Sequence, residues 1–306
     1  MSNTPKVSVI IPTLNRPEIV LALVKDLLQE DYPDYEIVVV DSSAVVNTAL
    51  QSMVAEHPKK VQYHHVEAKG TCHSRNVGVE HANGSIFLFL DDDTEVRDPL
   101  LLQKHVVNYA DPEIGGVGGR VEDRNTQLNK EQSGRACWVD ETGRVYANAT
   151  GHERVEINAP RGGHMSFRAE AVHQAGGFDT QFVGNAMREE TDFSLRVVKA
   201  GWKLVFDPTV TVVHLAYHSG GSRNAQRRQW YEDFFANEFY FMLKHFSRWQ
   251  LPHFFLRKLR AILSCMFYYG KGHPDWLLTP YWGFRAGLRR YGMLKHKHEN
   301  PPHHMA

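Results

Sequence analysis

The chain has 306 residues, 42% of them hydrophobic and 23% charged, with 35 basic and 35 acidic side chains. This is the composition of a folded soluble protein, long enough for one large domain with an appendage or for two domains. No uncharged apolar run reaches the length of a membrane span, and the amino terminus enters a strand pattern at Val7 without a signal-peptide core, so a cytoplasmic protein is expected. Cys72, Cys137 and Cys265 lie far apart and form no CxxC pair, which speaks against both a zinc site and a disulfide framework. The neutral total hides an asymmetry. Residues 1–222 carry 21 Lys+Arg against 30 Asp+Glu, and residues 223–306 carry 14 against 5, so an acidic body precedes a basic tail that calls for an anionic partner.

In chain order, Val7-Ser8-Val9-Ile10-Ile11 is a β-rich run closed by Pro12, and residues 18–29 place Ile19, Val20, Leu23 and Leu27 at helical spacing. Residues 37–40 form a second strand ending at Asp41, with a helix over 45–55. A third strand covers 61–66, a short helix 74–81 and a fourth strand 86–90. Alternating strands and helices predict a largely parallel sheet with covered faces, whose ligands gather at the carboxyl ends of strands. Where a dinucleotide-binding chain would carry Gly-x-Gly-x-x-Gly, this one has Pro12-Thr13-Leu14-Asn15-Arg16-Pro17, which argues against an oxidoreductase. After Pro99 the pattern becomes irregular. The run Gly115-Gly116-Val117-Gly118-Gly119 and the polar stretch 122–156 read as mixed strands and loops, and 160–168 as a Gly-rich loop before a helix over 170–175. Glu189-Glu190-Thr191-Asp192 opens a helix that runs to Lys199, and 210–214 is a last strand.

The chemistry is expected at Phe89-Leu90-Asp91-Asp92-Asp93. On an extended strand Asp91 and Asp93 project to one face and Asp92 to the other, so Asp91 and Asp93 can share a divalent cation such as Mg2+ or Mn2+. The same acids also fit a solvated turn ahead of the next helix. Asp41 suits a hydrogen bond from a nucleobase or ribose, or a tight turn.

These motifs, in this order across about 220 residues, resemble the inverting glycosyltransferases of family 2, of GT-A fold. The opening strand and loop through Pro12, Thr13, Asn15 and Arg16 resemble the family's donor loop, and Val40-Asp41-Ser42-Ser43 its nucleoside-binding strand end. Ser74-Arg75-Asn76-Val77-Gly78 resembles the helix start near the diphosphate, and Asp91-Asp92-Asp93 the Asp-x-Asp metal motif. Gly162-Gly163-His164 and Gly176-Gly177-Phe178-Asp179 resemble the acceptor side. Glu189 to Arg196 resembles the helix that carries the base, and His214 the late histidine that completes the metal site. The departures are Ser42 in place of a second acid and Glu190 where the family more often has Asp.

The resemblance implies an α/β GT-A fold over 1–222, a mostly parallel central sheet flanked by helices; beyond Arg223 it gives nothing, and composition alone points to a helical, basic and aromatic-rich extension over 223–306. The resemblance also implies a hexosyltransferase-type enzyme of polysaccharide or glycoconjugate biosynthesis. Such an enzyme uses Mn2+ or Mg2+ and moves a sugar from a nucleotide-diphospho-sugar to a saccharide or lipid-linked acceptor, without nucleic acid. Asp91, Asp93 and His214 are the expected metal ligands, and Asp91, Asp92, Asn76 and Asp41 join the donor loop in holding the nucleotide sugar, with Arg75 or Arg223 adding positive charge. Glu190 is the expected general base, with Asp192 second and Glu189 positioning the acceptor. Asp192 has Arg188 and Arg196 at four-residue spacing and so reads as an ion-paired acid. A sugar-phosphate nucleotidyltransferase and a non-catalytic carbohydrate-binding protein are the alternatives. In the tail, short aromatic and basic helices suit either a surface-lying membrane segment or packing against protein.

Overall fold

The computed structural model describes residues 4–124, 136–217, 220–221 and 226–299. The first three strands, β1 (Val7–Thr13), β2 (Tyr35–Asp41) and β3 (Val61–His65), alternate with α1 (Pro17–Leu27), α2 (Thr48–Glu56) and α3 (Thr71–His81). They are followed by β4 (Ile86–Leu90), β5 (Thr94–Glu95), α4 (Leu101–Asn108) and β6 (Ile114–Asp123). A small pair, β7 (Trp138–Val139) and β8 (Val145–Tyr146), precedes β9 (Val155–Ile157), β10 (His164–Arg168) and α5 (Ala169–Ala175). Then come α6 (Glu189–Lys199) and β11 (Lys203–His214). All seven residues of β2 are buried, which is why it reads as an unbroken apolar run rather than an alternating one.

The main sheet has the order β3-β2-β1-β4-β10-β6-β11-β5, with β9 on β11. β3, β2, β1 and β4 are parallel, and β6 is parallel to β11. β10 runs antiparallel to both β4 and β6. β1, β2, β4, β6 and β11 therefore all point the same way, and their carboxyl ends carry Thr13, Asp41, Asp91, Asp123 and His214. This is the mixed α/β architecture of GT-A proteins, with helices covering a central, mostly parallel sheet.

Two segments depart from the sequence reading. The Gly115–Gly119 stretch is a buried central strand, because Trp202, Phe167, Pro160 and His164 occupy the positions where β-carbons would lie. Residues 164–168, expected in a loop, form β10, which closes the gap between β4 and β6.

A polar relay crosses this core. The His164 ring nitrogen Nδ1 donates to the Arg120 carbonyl at 3.2 Å, so in the neutral ring Nε2 accepts from His105 Nε2 at 2.9 Å. His105 Nδ1 then accepts from Ser166 Oγ at 2.9 Å, and Ser166 from the Tyr109 hydroxyl at 2.7 Å. Each donor fixes the next acceptor, and the chain closes in this order with both imidazoles neutral.

The remaining helices are α7 (Arg227–His245), α8 (Leu251–Leu263), α9 (Pro274–Leu277) and α10 (Thr279–Glu299). With residues 140–144 and 181–188 they make a second compact unit. Gly283 and Gly287 let α10 lie on the backbone of α7 at Glu232 and Ala236. The buried Glu238 carboxylate is held by Arg188 at 2.9 Å and Lys258 at 2.8 Å, and it stays below its usual range despite its burial. No helix among the described residues is long and apolar enough to cross a membrane.

Burial holds His105 well below, and His164 down to about 4 against, the usual 6.5. The unfolded chain thus binds protons that the native one refuses, so this contribution to stability is complete above pH 6.5 and declines as pH falls toward 4. Two imidazole resonances should stay neutral from pH 8 to about 5, and the denaturation midpoint should fall as pH drops from 6.5 toward 4. Titration of both rings near 6.5 would contradict the relay.

Candidate active site

The acids after β4 leave the extended conformation at once. Residues 91–93 form a turn, so the alternation expected of a strand does not apply to them. Asp91 is partly open, its side chain 40% exposed, while Asp92 and Asp93 are buried. Asp92 accepts from Arg16 Nη1 at 2.6 Å and from Thr13 Oγ1 at 2.8 Å. The same Arg16 nitrogen lies 3.2 Å from Asp93. Burial pushes the Asp92 carboxyl up to about 6, while Arg16 and Thr13 oppose that rise. Arg16 and Asp92, expected on the donor, are thus committed to each other, and Arg16 also donates to the carbonyls of Tyr217 and Gly220. They shape the loop after β1 from within.

Asp93 faces His214. His214 Nδ1 lies 2.7 Å from Asp123 Oδ1, an acceptor-only atom, so in the neutral ring the proton sits on Nδ1 and the lone pair of Nε2 points at Asp93 Oδ1, 3.6 Å away. Two acceptors turned toward each other call for a cation between them, and a carboxylate that orients a histidine in this way is the usual support of a metal ligand. The residues therefore fit a divalent ion bound by few protein ligands. Among the described residues no group of three or more His, Cys, Asp or Glu is placed to hold a metal ion, so Asp91, Asp93 and His214 do not come together as a three-ligand set, and only Asp93 and His214 face each other. Asp123 was missed in the sequence because it ends a strand whose glycines mask it. An acid closing a parallel strand was the available signal.

Arg75 is fully buried and makes the central connection. Nη1 bonds Glu189, and Nη2 bonds both Asp91 Oδ1 at 3.2 Å and the Gly162 carbonyl at 3.1 Å. The guanidinium lies 5.3 Å from the centre of the Phe178 ring. Both terminal nitrogens of the fork, expected to add charge at the diphosphate, bind protein in this structure. Asn76 does likewise, since its amide donates to the Phe178 carbonyl and accepts from the Phe178 N–H, both at 2.8 Å. Glu189 is buried against Arg75 with Oε2 unpartnered among the described residues, so it is not open to an acceptor. Burial pushes its carboxyl up against the pull of Arg75.

On α6, Asp192 is fully buried and accepts from Arg196 Nε at 3.0 Å, and Arg196 also reaches the Ala175 carbonyl. Arg188, the other expected partner, pairs with Glu238 at 2.9 Å. Glu190 is the half-buried acid of the three. The loop before β10 lies directly on these groups: a β-carbon on Gly162 would come 3.1 Å from the Glu190 side chain, and one on Gly163 2.8 Å from Asp91 Oδ2. His164, expected to touch the acceptor, points away into the core relay.

At the end of β2, the buried Asp41 accepts from the Ser43 N–H at 2.8 Å and from the Tyr63 hydroxyl at 2.7 Å, which with burial lifts Tyr63 to about 12. Each Asp41 oxygen keeps a second lone pair for a ligand donor. Asn15 is exposed, in the left-handed conformation, with its N–H on Ser43 Oγ, and Pro12 is the penultimate residue of β1. Arg223 lies outside the described residues.

Residues 8–172 match the family described as Glycosyl transferase family 2, more than half of the chain, and the chain belongs to that family. It is 27% identical over 236 residues to the O-antigen biosynthesis protein RfbC of Myxococcus xanthus, covering 72% of this chain and 18% of that protein. It is 31% identical over 142 residues to the Campylobacter jejuni GalNAc(5)-diNAcBac-PP-undecaprenol beta-1,3-glucosyltransferase, covering 44% and 45%. The chain thus spans less than half the length of either relative. Among solved structures it is similar to the Pyrobaculum calidifontis mannosyltransferase PcManGT in complex with GDP-Man and Mn2+, with TM-score 0.58, 19% identity and 97% and 81% of the two chains covered. It is also similar to S. aureus TarS 1-349 in complex with UDP-GlcNAc, with TM-score 0.61, 14% identity and 96% and 91% covered.

The orientation of His214 by Asp123 is testable without turnover. Asp123→Ala should weaken Mn2+ binding by about 10–100-fold, the usual loss when a ligand's hydrogen-bonded support is removed. Titration calorimetry with Mn2+ in the presence of a nucleoside diphosphate measures it, and wild-type affinity in the variant would contradict the assignment.

Proposed function

We propose that the chain is a divalent-cation-dependent, inverting glycosyltransferase that moves a sugar from a nucleotide-diphospho-sugar to a hydroxyl of a saccharide or lipid-linked acceptor, working at the cytoplasmic side of a membrane. In this reading residues 1–222 form the transferase domain and residues 223–306 an extension. The observation that carries it is the facing pair Asp93 and His214, with Asp91 just past the carboxyl end of β4 and, against the Gly162-Gly163 loop, a half-buried Glu190. The solved structures that the fold is similar to bind GDP-Man with Mn2+ or UDP-GlcNAc, and relatives are named for undecaprenol-linked and dolichyl-linked substrates.

The acceptor oxygen attacks the anomeric carbon while its proton passes to the Glu190 carboxylate. The bond from that carbon to the diphosphate breaks, and its electron pair leaves on the β-phosphate oxygen. Asp93 and His214 would hold Mn2+ or Mg2+, which would supply the positive charge that a departing diphosphate needs. Asp41, with its spare lone pairs, binds the nucleoside, and Asn15, Thr13 and Pro12 form the loop over the donor. Arg75 fixes Asp91, the Gly162 carbonyl and the start of α6 in one arrangement, so the base and the donor acid keep their spacing.

Single displacement predicts inversion at the anomeric carbon. Glu190→Gln should leave nucleotide-sugar binding near wild type and lower transfer by roughly two or more orders of magnitude, the loss expected when a positioned base is removed. Transfer or donor hydrolysis, with binding measured separately, gives the answer. Near-wild-type transfer in Glu190→Gln, together with its loss in a folded Asp192→Asn, would place the base at Asp192 instead.

A further inference from the structure

α8 and the π-helical turn Ser264–Tyr269 that follows it have two unlike faces. The inner face is settled by contact: Phe254 is buried among the rings of Phe239 and Phe284, Lys258 is paired with Glu238, and Cys265 is buried. The outer face is apolar and uncovered. Leu256 is 70% exposed, Leu259 and Leu263 are nearly half exposed, and Phe267 is 58% exposed. Trp249, in the 3-10 turn just before α8, is 90% exposed. The spacing of 256, 259 and 263 puts them on one stripe of the helix, roughly 20 Å long over thirteen residues at 1.5 Å each. A contiguous stripe of large apolar side chains in water marks an interaction surface.

The charge around the stripe identifies its partner. From Phe239 to Pro274 the chain has six Lys and Arg and no Asp or Glu. His253, Arg257 and Arg260 fall on one flank of the stripe by helical position, and Arg260 is exposed. A protein partner or a second copy would need carboxylates to meet these cations, and this acid-free segment cannot supply them across a two-fold axis formed by itself. A bilayer with anionic headgroups meets both requirements, with acyl chains for the leucines and aromatics and phosphates for the arginines. We propose that α8 and its π-helical turn form an in-plane docking surface for an anionic phospholipid membrane, with Trp249, Leu256, Leu259, Leu263 and Phe267 entering the headgroup boundary and Arg260 on the phosphates.

This deepens the lipid-linked part of the proposed function, which it rests on for its purpose but not for its test. Full-length chain is floated with phosphatidylcholine vesicles with and without phosphatidylglycerol, containing no sugar donor or acceptor. Donor hydrolysis is measured separately without vesicles, so loss of either result leaves the other readable. The expected result is flotation with phosphatidylglycerol vesicles at low salt and release at high salt. The double variant Leu256→Glu/Leu263→Glu should lose at least about tenfold in partitioning, given the apolar area these side chains bury. Arg260→Glu, which leaves the stripe intact, should bind more weakly at low salt only. Both variants should keep the wild-type thermal midpoint and donor hydrolysis. Three results would overturn the proposal: no flotation of the wild type, equal flotation with and without phosphatidylglycerol, or equal flotation of the double variant. So would a concentration-dependent dimer that the double variant dissociates, because the stripe would then be a self-interface.

Discussion

The site depends on one buried guanidinium. Arg75 sits in the first turns of α3 with no route to water, and its fork holds three parts of the chain far apart in sequence: Asp91 after β4, the carbonyl of Gly162 before β10, and Glu189 at the start of α6. Burying a cation is expensive unless charge and hydrogen bonds surround it, and replacing such a group by apolar residues is often neutral for stability. Its use here is positional. The arrangement of Asp91, the Gly162 loop and the start of α6 is fixed by a single planar group whose geometry lysine could not reproduce.

The same logic runs through the rest of the active-site floor. Arg16 gathers Asp92 and Asp93 as Arg75 gathers Asp91 and Glu189, so buried cations set the spacing of an acid-rich surface. What remains for a ligand is the outward part of that surface: Asp91, the pair Asp93 and His214, and Glu190. Gly162 and Gly163 permit the loop to lie against Asp91 and Glu190, where any side chain would push the two acids apart. The neutral histidine relay anchors the other end of that loop through His164, so a residue that reads as an acceptor contact works as a foundation.

Much of this was legible in the sequence. The strands β1, β2 and β4 announce themselves as apolar runs leading to Thr13, Asp41 and Asp91, and α6 follows from its acids and helical spacing. The misreadings have physical causes. β6 is hidden because its glycines make room for rings from elsewhere in the fold, and with it went Asp123. Residues 164–168 look like a loop because their strand partners β4 and β6 are distant in sequence. Arg75, Arg16 and Asn76 were read as reaching for a ligand, since sequence spacing does not tell whether a polar group faces a cleft or holds one together. The ion pair of Asp192 with Arg196 was legible because it is local; the pairing of Arg188 with Glu238 was not.

The most direct measurement is a crystal structure with Mn2+ and a nucleoside diphosphate. If Arg75 is the internal organiser, its guanidinium remains on Glu189, Asp91 and the Gly162 carbonyl, and the ion is bound by Asp93 and His214 while Asp123 keeps its hydrogen bond to the ring. A structure in which Arg75 has swung onto the diphosphate and released Glu189 would contradict the account.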